Sequence, residues 1–91
     1  ADRVVIIQAK AEDVIAYPAD FVIANIHYDV MRHLISAKGF VDKKRFILSG
    51  LLRSEAKDIA DRLARQPVKI IKQWNSDGIW HTFYGKMDPM N

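Results

Sequence analysis

Ninety-one residues, 49% hydrophobic and 27% charged, describe one small domain or part of a larger one, with the composition of an ordinary soluble protein. The absence of cysteine excludes disulfides and thiolate metal sites and fits a cytoplasmic setting, and no apolar run approaches the roughly 18 residues that span a bilayer. The net charge of +3 is dispersed except at Lys43-Lys44-Arg45, so it reads as solvated surface, and nucleic acid is not the expected partner.

Ala1-Asp2-Arg3 lacks the organisation of a signal peptide. Val4-Val5-Ile6-Ile7 is β-branched or apolar throughout and predicts a first strand. Gln8 to Asp13 is a polar turn, followed by Val14-Ile15-Ala16-Tyr17 and a break at Pro18. Residues 21–26 predict a second strand. A helix is expected from Asp29 as N-cap, with Val30, Met31, Leu34 and Ile35 on one face and Lys38 and Gly39 at its end. A third strand is expected over about 45–49. Ser54 then caps a second helix that buries Ala56, Ile59, Ala60 and Leu63, carries Arg62 and Arg65 at its negative end, and stops at Pro67. Val68 to Trp74 and Ile79 to Tyr84 predict a hairpin turned by Asn75-Ser76-Asp77-Gly78, with a frayed tail after Lys86.

The runs at 21–26 and 46–52 do not alternate, which is the habit of parallel strands buried on both faces. With a helix between them they make a βαβ unit. Ligands in such sheets gather at the carboxyl ends of the strands, here Asn25 and Ser49-Gly50. Ser49-Gly50 reads as a tight turn closing its strand, since no nucleophile-elbow pattern surrounds the serine. The fold class is therefore α/β, parallel strands first and an antiparallel hairpin last, with helices packed on the sheet.

Several stretches carry a resemblance. Asp20-Phe21-Val22-Ile23-Ala24-Asn25-Ile26 resembles a "D-x-V-x-A-N-I" strand, Ile47-Leu48-Ser49-Gly50-Leu51-Leu52 an "L-I-L-S-G-I-L" strand, Glu55-Ala56 the "E-Q-A" helix start that follows it, and Trp74 a hairpin tryptophan. Together they resemble the bacterial methyltransferases that modify amino groups of large-subunit ribosomal protein eleven. These have the class I S-adenosylmethionine-dependent methyltransferase fold, a Rossmann-like sheet whose last strand inserts antiparallel. The resemblance covers roughly residues 10–86. It implies S-adenosylmethionine as cofactor and a ribosomal protein as partner. It also implies that residues 1–91 are a single partial domain, the carboxyl-terminal half. The four glycines, at 39, 50, 78 and 85, form no Gly-x-Gly loop, and the acid that grips the ribose has no counterpart. By resemblance Val4–Ala9 is the fold's third strand, which the first two separate from the fourth. Without those two it would move beside 21–26, pair with a second copy, or stay unpaired; an exposed edge invites a homo-oligomer.

The same resemblance assigns Asn25 to the point where the target amine meets the methyl group, because a carboxamide orients a lone pair without charging it. The bland alternative is a strand-end residue that satisfies nearby backbone groups. Ile26 and His27 would line the same mouth. The turn that contacts the adenine falls on Ala11 and Glu12, with Lys10 where an acid is usual and Asp13 as another substitute; a solvated turn is the competing reading. His27, His33 and His81 match no ligand spacing, so no metal is expected. Trp74, Trp80, Phe83 and Tyr84 are expected to pack beneath the helices. Two alternatives stay open: a self-associating α/β module without catalysis, and a fragment of an RNA-directed methyltransferase, the latter motivated by Lys43-Lys44-Arg45.

Overall fold

The computed structural model describes residues 4–7, 20–37 and 39–88. The elements run β1 (Val4–Ile7), β2 (Phe21–Asn25), α1 (Tyr28–Ser36), β3 (Arg45–Leu51), α2 (Arg53–Leu63), β4 (Val68–Ser76) and β5 (Trp80–Met87). This is the expected order. Among the described residues they form one five-stranded sheet, β1-β2-β3-β5-β4. β1, β2 and β3 are parallel, and β5 inserts antiparallel between β3 and β4. Of the three arrangements open to the first strand, the structure adopts direct pairing with β2, Val4 opposite Phe21 and Ile7 opposite Ala24.

Both helices pack on the same face of the sheet. Alternation along the strands sends Val22 and Ala24 of β2, Phe46 and Leu48 of β3, and Phe83 of β5 to that face, where all are buried. Met31, Leu34 and Ile35 of α1 and Ala56, Ile59 and Leu63 of α2 close over them. Fully burying each large side chain contributes about 1.5–3 kcal/mol. Gln66 Nε2 donates to Ile35 O at 2.8 Å and ties the end of the α2 turn to α1. The other sheet face carries no helix among the described residues. Phe21, Ile23 and Ile47 are only half-buried there, and Val4 and Ile6 are 53% and 63% exposed. Among the described residues, then, helices cover one face of these strands and not both, which departs from the expectation of strands buried on both faces.

Helix and strand ends differ from the expected ones. α1 begins at Tyr28 with His27 as N-cap, so Asp29 lies inside the first turn, where it suits the positive helix end and pairs with Arg32 at 2.9 Å. The helix ends at Ser36; Lys38 lies outside the described residues. α2 begins at Arg53 with Leu52, not Ser54, as N-cap. Leucine has no acceptor, so only half of a capping box forms: the Glu55 carboxylate accepts the Leu52 N–H at 2.9 Å. β3 runs through Ser49 and Gly50 to Leu51, with a bulge where a tight turn was expected. The hairpin turns at Asp77 and Gly78, both at positive φ, and Ile79 N–H returns to Ser76 O at 3.0 Å. β5 continues to Met87 without fraying; Met87 N–H bonds Lys44 O at 2.9 Å and Asp88 N–H bonds Pro67 O at 2.7 Å.

Gly85 lies opposite Phe46. A Cβ there would stand 2.4 Å from Phe46 Cζ and 2.7 Å from the Lys69 carbonyl. The glycine makes room for a ring that also packs on Phe40, with centroids 5.4 Å apart. We predict that Gly85→Ala costs about 1–3 kcal/mol by overpacking. Combined with Phe46→Leu, which withdraws Cζ, the loss should be less than the sum of the two by about 0.5 kcal/mol or more. Denaturant unfolding of the double-mutant cycle checks this, and additive losses would count against the contact.

Candidate functional site

The parallel strands end together at Asn25 of β2 and Ser49-Gly50 of β3, which are register neighbours. Gly50 takes φ +93°, a conformation glycine adopts without the penalty a Cβ brings. It coincides with the register shift between Ser49 and Leu51. A Cβ on Gly50 would sit 2.7 Å from Asn25 Oδ1, 3.2 Å from Ile26 O and 3.6 Å from Ile26 N. The bulge thus brings β3 backbone directly beneath the Asn25 carboxamide. Ser49 Oγ donates to Ala24 O at 3.5 Å on the same side of the mouth.

Asn25 is exposed, and its carboxamide makes no hydrogen bond. It is not occupied with the neighbouring backbone, as the bland alternative requires. Ile26 turns its side chain into the core, while its backbone faces Gly50. His27 is exposed and caps α1 through its carbonyl, which accepts from Met31 N–H at 2.9 Å. The structure therefore brings Asn25, the Ile26 backbone and Gly50 together and sets His27 beside them. Ala11 and Glu12, with Lys10 and Asp13, lie outside the described residues. His33 sits on the helix surface, its Nδ1 2.8 Å from Asp29 O. Among the described residues no three His, Asp or Glu side chains converge to hold a metal.

A second cluster fixes the start of α1, and sequence reasoning did not single it out. The Tyr28 hydroxyl donates to Asp58 Oδ2 on α2, and Arg62 Nε reaches the same oxygen at 2.7 Å. Arg32 stands over the Tyr28 ring, 5.3 Å from its centroid. Two residues, Ile26 and His27, separate Asn25 from this anchor. The only signal in the sequence is a tyrosine at the first position of a helix, which periodicity does not notice.

The basic run Lys43-Lys44-Arg45 does not form a patch. Lys43 is buried and donates to Gly39 O at 3.2 Å, Lys44 lies 3.7 Å from the Asp20 carboxylate, and Arg45 points to the helix-free face. The aromatic expectation also needs correction. Phe83 is buried, but Trp74 and Trp80 remain 39% and 49% exposed on the helix-free face, because Phe83 and the Phe46 ring already fill the covered side of β5. No helix of the described residues is long and apolar enough to cross a membrane.

The family model described as ribosomal protein L11 methyltransferase (PrmA) matches residues 1–88. The chain belongs to that family. No curated protein and no solved structure matches the chain.

The Tyr28–Asp58 bond has a definite pH window. The hydrogen bond from Tyr28, then that from Arg62, holds the Asp58 carboxyl below its ordinary value of 3.8, and the bond to Asp58 with burial raises the Tyr28 hydroxyl above 10.0. A depressed acid stabilises the fold above its unfolded value and loses that contribution as pH falls; a raised phenol stabilises it below its unfolded value and loses it as pH rises. We predict a thermal midpoint that is level at neutral pH and falls at both extremes. Tyr28→Phe should lower the level region and remove the Tyr28 share of the alkaline fall. An unchanged profile in Tyr28→Phe, read by circular dichroism, would contradict the assignment.

Proposed function

We propose that this chain supplies the acceptor side of an S-adenosylmethionine-dependent methyltransferase directed at protein amino groups, with a ribosomal protein as substrate. The observation that carries the reading is the free Asn25 carboxamide, exposed at the carboxyl end of a parallel sheet and seated on the backbone of Gly50. A carboxamide oxygen accepts one N–H of a neutral amine and leaves the nitrogen lone pair unprotonated and directed. Holding the amine in that orientation is the part of methyl transfer that geometry accelerates. Ile26 would support the mouth through its backbone, and His27 would meet the substrate as it enters. A cytoplasmic setting belongs to this reading.

The family reading implies S-adenosylmethionine, but the described residues do not fit its nucleoside. Of the acids close to the mouth in sequence, Asp29 pairs with Arg32 and Glu55 is committed to the Leu52 N–H. Of the two positive-φ glycines, Gly78 turns the hairpin and Gly50 lies under Asn25, so no glycine-rich cradle of backbone N–H groups forms. Ala11 and Glu12 are proposed as the adenine side. We therefore assign to this chain the carboxyl-terminal half of the enzyme, inactive alone.

Two measurements test this. Calorimetry with the 91-residue chain should show no tight binding of S-adenosylmethionine, since one-sided contact does not offset an association cost of about 4–15 kcal/mol. A low-micromolar Kd would overturn the partial-site reading. In an active enzyme carrying this stretch, Asn25→Ala should lower kcat about 10²-fold with little change in KM for the methyl donor. Full activity in Asn25→Ala would overturn the role given to Asn25.

A further inference from the structure

The Asn25 carboxamide is bounded on two sides. Beneath it lies the Gly50 backbone at the β3 bulge. Beyond it, Ile26 and His27 lead directly into α1 at Tyr28, so the first turn of α1 sets how the chain leaves the sheet. That turn is poorly secured by its own sequence. His27 makes no side-chain cap hydrogen bond, and the first buried residue of the helix, Met31, is its fourth. A helix start without a side-chain cap leaves backbone N–H groups unsatisfied and loses stability. Ile26 pins the strand end in the core, but one side chain does not set the angle at which α1 departs.

The Tyr28 hydroxyl supplies the missing hold. It crosses to α2 and donates to Asp58 Oδ2. Arg62 Nε, one helical turn further on, donates to the same oxygen at 2.7 Å and orients the carboxylate. α2 is a firm base for this bond. Its Ala56, Ile59 and Leu63 are buried, and Glu55 closes its first turn on the Leu52 N–H at 2.9 Å. Arg32 lies over the Tyr28 ring, 5.3 Å from the centroid, and is itself held by Asp29 at 2.9 Å. Ring and hydroxyl of Tyr28 are therefore both fixed.

We infer that Tyr28, Asp58 and Arg62 are positioning residues for methyl transfer. They fix the first turn of α1 and, through Ile26 and His27, the direction in which Asn25 presents its carboxamide. The inference rests on the methyltransferase reading of Asn25. The three residues act through Asn25 and not on the acceptor itself. Misplacing an orienting group by about 1 Å costs up to about 10²-fold in rate, so a remote bond that sets its direction is felt in kcat.

Two readouts test this. In the 91-residue chain, nitrogen-15 NMR should show displaced Asn25 side-chain amide signals in Tyr28→Phe, which keeps the ring over which Arg32 lies and removes the hydroxyl alone. Gly85→Ala and Val68→Ala loosen the sheet at the end away from the mouth and should leave those signals in place. In an active enzyme carrying this stretch, Tyr28→Phe and Asp58→Ala should each lower kcat about tenfold with KM for the methyl donor unchanged. Together they should lower it no further than either alone, because both remove one bond. Asp58→Asn keeps an oxygen that accepts from the phenol and should recover most of the loss. The two sheet variants, assayed where circular dichroism shows every variant folded, should keep full kcat, which separates positioning from loss of stability. Unmoved Asn25 signals in Tyr28→Phe overturn the inference. So does full kcat in Tyr28→Phe where Asn25→Ala is impaired, or a loss in the sheet variants equal to that in Tyr28→Phe; in each case the role of Asn25 stands. Full activity in Asn25→Ala removes that role and the inference with it.

Discussion

β3 is the strand on which both halves of the sheet depend. Its β2 side is parallel and its β5 side antiparallel, so the direction of the sheet changes across it. Phe46 and Leu48 put its side chains into the core beneath both helices, and Leu51 closes the same core after the bulge. The bulge at Gly50 lets one strand serve two purposes: it re-aims the chain from sheet to helix and brings bare backbone against Asn25. A regular strand with a side chain at position 50 would push the carboxamide away. The mouth therefore follows from a packing constraint within the sheet and not from a loop.

The two sheet faces carry different chemistry for a simple reason. Both helices lie on one side, so alternation sorts the large apolar residues of β2, β3 and β5 beneath them. The residues between, among them Phe21, Arg45, Tyr84 and Lys86, fall on the side that carries no helix among the described residues. There the β1–β2–β3 portion is apolar, with Phe21 among the aliphatic side chains, and the β3–β5–β4 portion is basic and aromatic. Position in the register, more than local composition, decides what each lysine does. Lys43, Lys44 and Arg45 are consecutive in the chain, yet one is buried, one meets Asp20 and one joins a row with Lys86 and Lys69.

Much of the fold was legible in the sequence. Apolar runs marked β2 and β3, helical spacing marked the buried faces of α1 and α2, and Asp77-Gly78 marked the hairpin turn. The motif ending in Asn25 pointed to the carboxyl edge of the sheet. Helix starts were misplaced because Asp29 and Ser54 are good caps by residue type, while the chain uses the extended backbone of His27 and Leu52. The covered and open faces were not legible because an apolar run does not say which side a helix will take. The Tyr28–Asp58–Arg62 cluster joins residues about thirty positions apart and leaves no local pattern. The cation row is likewise a product of register, which periodicity does not supply.

The central claim is that Gly50 holds an ordered Asn25 carboxamide that no other group occupies. Nitrogen-15 NMR of the Asn25 side-chain amide tests it most directly. The account predicts two resolved amide protons with a positive heteronuclear NOE, rapid exchange with water, and a large displacement of both signals in Gly50→Ala while the Phe83 region stays unchanged. Coincident, random-coil amide shifts with a negative NOE, indifferent to Gly50→Ala, would contradict it.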